Sequence, residues 1–252
     1  MYAVERRQEI ATLIEERGRG DVTELADRFD VTPETIRRDL TELEQRRLLR
    51  RVHGGAISIH RFRSEPAIAE KAETMADEKA AIAAAATAFV PEAGSVLIDA
   101  GTSTLALARI FPERELRVFT HSVAVALELA SKLDLRLYVI GGRLRTRTLA
   151  NVDDWALRQL AALRVDVAFV GTNGFSAERG LSTPDPAEAA VKHALCLAGA
   201  QTVVLADHSK VNQESAVRFA AIDEFDVLIS DHGLAEPYRR ALDQAGVEVV
   251  LA

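Results

Sequence analysis

Over the first 60 residues apolar positions recur every three or four places, and beyond about residue 75 they gather into short continuous runs. The first pattern is that of small amphipathic helices and the second that of buried strands. Ile10, Leu13 and Ile14 share one face of a helix through ERRQEIATLIEERG, which Gly18 is expected to stop. A second helix, ELADRF, is expected with Thr23 as its cap. A third has Thr32 as cap and Pro33 at its first position, where the missing N–H costs nothing. About three residues, DVT, join these two, the spacing of a helix-turn-helix. Val31, Ile36, Leu40 and Leu43 mark the buried stripe of the third helix; Glu34, Arg38, Thr41 and Gln45 point the other way, flanked by Thr35 and Arg37. LLRRVHGGAISI alternates on either side of His53, Gly54 and Gly55, which reads as a β-hairpin with a glycine turn, a wing beside the third helix.

The larger remainder contains the strand candidates SVLID, LRVFT, LRLYVI, VDVAFVG, TVVLAD, FDVLIS and VEVVLA, most of them separated by helical stretches. That rhythm implies a largely parallel sheet covered on both faces. DEKAAIAAAATAF, before the first strand, is expected to pack on it as a helix. The expected fold is therefore α/β: an N-terminal winged helix-turn-helix over residues 1–57, a partly helical linker over 58–76, and a larger, mostly parallel α/β domain over 77–252.

A chain of 252 residues with 48% hydrophobic and 27% charged residues can bury two cores and is ordinary for a globular protein. No apolar run reaches membrane-spanning length and the amphipathic, charged start is not a signal peptide, so a cytoplasmic protein without a membrane partner is expected. The lone Cys196 excludes an intrachain disulfide and a cysteine-rich metal site, and reads as a buried thiol on an apolar helix. A net charge of −7 argues against a nucleic-acid partner until its distribution is seen. Residues 37–63 hold eight arginines against Asp39, Glu42 and Glu44, a local balance of +5.

That patch changes the reading of the third helix. Its polar face suits a major groove, where arginine can grip guanine bidentately and threonine can touch a phosphate or a thymine methyl. Whether Arg37 or Arg38 reads a base or holds a phosphate stays open at this point. Arg50, Arg51 and His53 on the wing would contact the sugar-phosphate backbone. In the larger part, polar and glycine-rich tips follow the strands directly: DAGTST, THS, GGR, GTNG, DHSK and DHG. In open α/β sheets ligands bind at such carboxyl ends. In DAGTST, Gly101 allows close approach, Thr102, Ser103 and Thr104 offer hydroxyls, and the following helix presents unpaired N–H groups. These parts suit a phosphate monoester, or equally a capped turn. No GxxxxGK[ST] or GxGxxG occurs, which disfavours nucleoside triphosphates and dinucleotides, and no cofactor or metal is expected. Glu188 and Lys192, four apart on a probable helix, read by spacing alone as a weak surface ion pair.

ELADRFDVTPETIRRDLTELEQRRLLRRVHGGA resembles the signature of the DeoR family of bacterial and archaeal sugar-metabolism repressors, including its TIRRDL core and HGGA wing. The resemblance implies a winged helix-turn-helix that binds double-stranded operator DNA, with Thr35, Arg37, Arg38, Arg50, Arg51 and His53 at motif positions; Thr32 and Thr41 lie beside them. It implies a homodimer or homotetramer. The family's effector domain is similar to ribose-5-phosphate isomerase, and its D-x-G-T-T-T, G-L-T…E-A…K and D-x-S-K stretches match Asp99–Thr104, Gly180–Lys192 and Asp207–Lys210. By that similarity Asp99, Gly101, Thr102, Ser103, Thr104, Gly171, Asn173, Glu188, Lys192, Asp207 and Lys210 line a pocket for a phosphorylated sugar or related metabolite, with Lys192 or Lys210 on the phosphate. The family's T-N-S tip is Thr120-His121-Ser122 here, which puts His121 at the pocket, and its S-K-F-G is Ser209-Lys210-Val211-Asn212; the identity of the sugar stays open. The implied function is a DNA-binding repressor of sugar or glycerol catabolism genes, not an enzyme. The alternative is a sugar-phosphate isomerase with a DNA-binding head, in which Glu188 moves a proton and Lys192 steadies an enediolate.

Overall fold

The computed structural model describes residues 2–17, 19–46, 48–52, 54–58, 68–132 and 134–252, and the chain divides into two units, 1–65 and 66–252. The smaller unit runs α1 (Ala3–Arg17), β1 (Arg19–Asp21), α2 (Val22–Phe29), α3 (Pro33–Gln45), β2 (Leu49–Val52) and β3 (Gly55–Ser58). Ile10, Ile14, Leu25, Ile36, Leu40, Leu43 and Leu49 form its core, so the stripes read from periodicity do face inward. Val31 is half-buried against them, and Gly18 lies outside the described residues. Beneath α3, Arg6 Nε donates to Asp39 Oδ2 at 2.7 Å, which ties α1 to α3 through a buried pair.

The cap of α2 differs from expectation. Asp21, not Thr23, fills the position: its Oδ1 accepts from the N–H groups of Thr23 at 2.7 Å and Glu24 at 3.3 Å. A carboxylate satisfies two orphan donors and meets the positive end of the helix dipole, which a hydroxyl two residues later cannot do. Thr32 caps α3 as expected, accepting from the Thr35 N–H at 3.3 Å.

The hairpin pairs β2 with β3 antiparallel, but Gly55 belongs to β3 rather than to the turn. The short β1 joins the other side of β3, giving the order β1-β3-β2. The two glycines of HGGA therefore do different work. Gly54 adopts φ +83°, whereas a Cβ on Gly55 would lie 2.2 Å from the Gly20 carbonyl oxygen. His53 lies outside the described residues.

The larger unit begins with α4 (Ile68–Glu73), in the second half of the segment expected as a linker, and α5 (Ala76–Ala86), the helix expected through DEKAAIAAAATAF. Ile68 N–H donates to the Arg147 carbonyl at 3.0 Å, and the buried Lys79 of α5 donates to the carbonyls of Lys71 and Thr74. There follow β4 (Gly94–Ile98), α6 (Thr102–Arg109), β5 (Leu116–Thr120), α7 (Val123–Leu129), β6 (Leu135–Val139), β7 (Arg143–Arg145), β8 (Ala150–Val152), α8 (Asp153–Ala161) and β9 (Val165–Gly171). The chain ends with β10 (Gly174–Ser176), β11 (Gly180–Thr183), α9 (Pro186–Ala198), β12 (Gly199–Leu205), β13 (Val217–Ala220), β14 (Val227–Ser230), α10 (Glu236–Gln244) and β15 (Glu248–Leu251).

All seven strand candidates enter one parallel sheet of order β15-β14-β12-β9-β4-β5-β6. Strand periodicity splits its residues between two cores. Val96, Ile98, Val167, Phe169, Val203 and Leu205 pack with residues of α5, α6 and α7, whereas Leu97, Ala168, Val170 and Val204 pack with residues of α8, α9 and α10. Cys196 is buried on α9, and burial pushes its thiol up to about 12. The chain leaves β4 toward β6 in one direction and β9 toward β15 in the other, so the topological switch point falls between β4 and β9. Two additions went unread: the β7–β8 hairpin and the antiparallel sheet β10-β11-β13. Among the described residues no helix is long and apolar enough to cross a membrane.

The Gly55–Gly20 contact sets a test. Gly55→Ala forces the strands apart and should cost about 1–3 kcal/mol, as overpacking does. Gly54→Ala, with its nearest neighbour 3.8 Å away, should cost only the left-handed backbone penalty of about 1 kcal/mol. Urea denaturation of the two variants measures the order.

Candidate functional site

The switch point is where Asp99, directly after β4, meets Gly171 at the end of β9. Asp99 is completely buried and fully engaged. Its Oδ2 accepts from the Gly171 N–H at 2.8 Å and from Lys192 Nζ, and its Oδ1 lies 2.9 Å from His121 Nε2. Lys192, also buried, donates as well to the Gly171 carbonyl at 2.9 Å. Burial alone would push the Asp99 carboxyl up, but the Lys192 charge and the His121 hydrogen bond outweigh it and hold the group below the usual carboxylate range. The Lys192 ammonium is therefore committed to a carboxylate inside the protein. His121 continues the network, with Nδ1 2.9 Å from the Asn151 carbonyl and Nε2 accepting from the Ala100 N–H at 3.1 Å.

From this anchor the chain passes through Gly101 into α6. Gly101 is the N-cap and supplies no side-chain cap. Thr104 turns inward and donates to the Gly101 carbonyl at 3.1 Å, while the half-buried Thr102 and Ser103 hydroxyls make no hydrogen bond among the described residues. Asp99 thus holds in place a helix N-terminus whose N–H groups and two hydroxyls are free to receive an anion.

Glu188 and Lys192 do not form the surface pair that their spacing implies. Both side chains face inward, and each has found a long-range partner. Glu188 Oε1 accepts from Arg145 Nη1 at 3.0 Å and from the Thr148 hydroxyl, and Arg145 Nε reaches Asp185 at 3.1 Å. Asn173 accepts from the Thr183 hydroxyl at 2.9 Å. After β12, Asp207 Oδ1 accepts from the Ser209 N–H at 3.1 Å. Its Oδ2 is buried with no hydrogen-bond partner among the described residues, 3.9 Å from Lys210 Nζ. Lys79 is an addition to the sequence reading. Burial lowers its pKa, Asp207 opposes that shift, and Lys210 and Lys71 add to it. A lysine on the buried stripe of an alanine-rich helix, in a chain with only five lysines, was the available signal. Arg145, Thr148 and Asn151 had none, because their partners are distant in sequence.

In the smaller unit the exposed face of α3 carries the expected residues. Arg37 pairs with Glu34 at 3.0 Å on the surface, an arrangement worth well under about 1 kcal/mol and easily exchanged for a phosphate. Arg38 and Arg50 are exposed and make no ion pair or hydrogen bond among the described residues. Thr32 and Thr35 hydroxyls lie 2.9 Å apart. Thr41 donates to the Arg37 carbonyl at 2.7 Å and accepts from Arg51 Nη1 at 2.8 Å, so it braces the wing against the helix.

Removing one member of the buried Asp99–Lys192 pair leaves a charge without compensation. Asp99→Asn and Lys192→Met should each cost about 3–5 kcal/mol, and the double variant clearly less than their sum, in a urea-denaturation double-mutant cycle. Because the folded Asp99 carboxyl is held below its unfolded value of about 3.9, its stabilisation is full at neutral pH. It is lost as pH falls through the lowered value.

Two profiles match the chain: the DeoR-like helix-turn-helix domain over residues 6–62 and the DeoR C-terminal sensor domain over residues 74–232. The HTH-type transcriptional regulator GlpR of Haloferax volcanii is 36% identical over 251 residues, 99% of this chain and 98% of its own length. The glycerol-3-phosphate regulon repressor of Escherichia coli K12 is 31% identical over 92% of both chains. Among solved structures, ribose 5-phosphate isomerase A from Methanocaldococcus jannaschii matches 55% of each chain at 17% identity and a TM-score of 0.41, which carries no functional weight. On the two profiles and these near full-length relatives, the chain belongs to the DeoR family and is a transcriptional regulator, with a DNA-binding helix-turn-helix domain and a C-terminal sensor domain.

Proposed function

We propose that this regulator is a repressor of sugar or glycerol catabolism genes that binds operator DNA through α3 and the β2–β3 wing, and that a phosphorylated sugar or related metabolite in the sensor domain lowers its DNA affinity. The observation that carries the reading is the α6 N-terminus at the switch point, where Thr102 and Ser103 present free hydroxyls beside uncapped N–H groups. A phosphate monoester satisfies those donors, and the Asp207 Oδ2, which has no hydrogen bond among the described residues, and the Lys210 ammonium supply an acceptor and a cation after β12, two strands from β4 in the sheet. Gly101 and Thr104 shape the loop. Asp99, His121, Gly171, Glu188 and Lys192 act from below, holding it rather than reaching the ligand as free charges. Asn173 belongs to the rim of the pocket in this reading. The names of the relatives, one of them a glycerol-3-phosphate regulon repressor, support the same ligand class.

On the DNA side, Arg38 and Arg37 enter the major groove while Thr32 and Thr35 sit at the helix N-terminus near base edges. Arg50 and Arg51, with Thr41 bracing the latter, position the wing on phosphates, and His53 is assigned to that wing by its place in the sequence. Control by the effector requires a homodimer or homotetramer, in which the spacing of two heads decides half-site fit. A differential affinity of about 1–3 kcal/mol between competent and incompetent arrangements gives a roughly 5- to 150-fold response. Such a regulator works in the cytoplasm, where its operator is. The isomerase alternative needs Glu188 and Lys192 free for proton transfer, and both are occupied by Arg145, Thr148 and Asp99.

Fluorescence anisotropy with DNA from upstream of the protein's own operon, titrated with a panel of phosphorylated sugars and glycerol 3-phosphate, tests the reading. Operator affinity should fall by orders of magnitude between about 50 and 200 mM salt. Arg38→Ala should weaken specific binding by about 1–3 kcal/mol with the fold intact, and an unchanged affinity overturns the assigned contact face. Thr102→Ala should remove the effector response while DNA binding stays; loss of both would mean that Thr102 serves the fold rather than the pocket.

A further inference from the structure

The seven-stranded sheet ends at β6, and the outer side of that strand is open. Ile140 N–H donates to the Thr120 carbonyl at the end of β5 at 2.8 Å. Backbone groups along a strand turn alternately to its two sides. Those of Arg136 and Tyr138 therefore also face β5, whereas those of Leu135, Leu137 and Val139 point away from it. No strand among the described residues lies on that outer side. Gly141 continues the outward set, and there a side chain stands in for a strand. Gln159 of α8 accepts from the Gly141 N–H at 3.2 Å and donates to its carbonyl at 3.1 Å. The edge is thus closed just beyond β6 and open along the strand itself.

Native edge strands are usually blunted by lysine, proline or a bulge. β6 has none of these: its sequence is LRLYV and its register with β5 is unbroken. Tyr138 is 47% and Val139 51% exposed, while at the opposite edge Val249, Val250 and Leu251 of β15 are each half-buried. One turn before Gln159, Trp155 of α8 is 72% exposed. Exposed Trp, Tyr and Arg in one region are the residues in which protein interfaces are rich.

The partner that fits this edge is a second copy of it. With two β6 strands antiparallel and Leu137 on the two-fold axis, Leu137 exchanges hydrogen bonds with its own counterpart and Leu135 with Val139 of the second copy. Arg136 then stands opposite Tyr138 of the second copy, twice, in the closely spaced pairs where a guanidinium on a ring is favourable. The exposed Arg136–Glu115 pair gives way easily. Leu135, Leu137 and Val139 continue the face on which Leu135 and Leu137 already pack with the core under α6 and α7. Neighbouring registers fail. An axis at residue 136 sets Arg136 against its own counterpart, and one at 138 puts Leu135 against Gly141, which Gln159 already occupies.

We propose that two copies of this chain dimerise through β6, paired antiparallel about a two-fold axis at Leu137, so that their sheets become one. This rests on the homo-oligomer reading given above and names the surface that it uses.

Sedimentation velocity of the full-length protein over a concentration series tests the pairing. Tyr138→Arg removes the ring and sets like charges opposite each other at both ends of the joint, and should raise the dissociation constant across it roughly 10- to 100-fold. Exchanging the two residues, Arg136→Tyr together with Tyr138→Arg, rebuilds the same cross-strand pairs in this register alone and should recover most of that loss. Val139→Pro removes an N–H that β5 does not use, and should weaken assembly as well; it serves if Tyr138→Arg does not fold. A dimeric wild type should fall to monomers and a tetrameric one to dimers. Folded Tyr138→Arg and Val139→Pro variants that assemble like the wild type, or an exchange variant no better than Tyr138→Arg, overturn the β6 pairing and leave the homo-oligomer reading standing. A wild type that is monomeric at every concentration overturns both.

Discussion

The Asp99 carboxylate at the junction of β4 and β9 is the interaction on which the sensor domain turns. A fully buried carboxylate costs several kcal/mol unless hydrogen bonds and an opposite charge compensate it. Its compensation comes from three separate parts of the chain: the Gly171 amide at the end of β9, the Lys192 ammonium on α9 and the His121 ring after β5. The sheet cannot bring β9 beside β4 in another register without breaking these contacts. Closing the fold and building the Gly101–Thr104 loop are therefore one event. The loop inherits a rigid floor, while the Thr102 and Ser103 hydroxyls make no hydrogen bond among the described residues.

Cation placement explains how an acidic protein carries a locally basic face. The net charge is −7, yet arginines crowd α3 and the wing, while in the sensor domain Lys192 is matched by the buried Asp99 and Lys210 follows β12 beside Asp207. Asp39 is spent internally on Arg6, and Glu34 offsets only Arg37 on the surface, leaving the exposed Arg38 and Arg50 with no ion pair among the described residues. Charge averaged over the chain misleads because electrostatics at about 8–10 Å, the screening length in physiological salt, is a local property.

Legibility followed the length and polarity of each element. The seven parallel strands were readable because strands buried on both faces are continuous apolar runs. The β7–β8 hairpin and the β10-β11-β13 sheet were not, being strands of three or four residues in glycine-rich, polar sequence such as GTNGFSAERGLST. The helix α2 was readable, but its cap was not, since Asp21 and Thr23 compete two residues apart and only the geometry selects the carboxylate. For the candidate site, the places of Asp99, Thr102 and Lys210 shortly after strands β4 and β12 were legible. Their partners were not: Glu188 and Lys192 share a helix face by spacing, yet the partners that claim them, Arg145 and Asp99, lie 43 and 93 residues away. Local spacing ranks the possible pairs, and tertiary burial chooses among them.

The close approach of Gly55 to the Gly20 carbonyl has a consequence for how signals can reach DNA. Because β1 is welded to β3 with no room for a side chain, the wing is a continuation of the segment between α1 and α2, and Thr41 with Arg51 bolts its other edge to α3. A reader assembled this way moves as one block, helix and ribbon together. Under the proposed function, metabolite sensing then has a single mechanical handle: it reorients the whole reader on the duplex and leaves unchanged which letters it recognises.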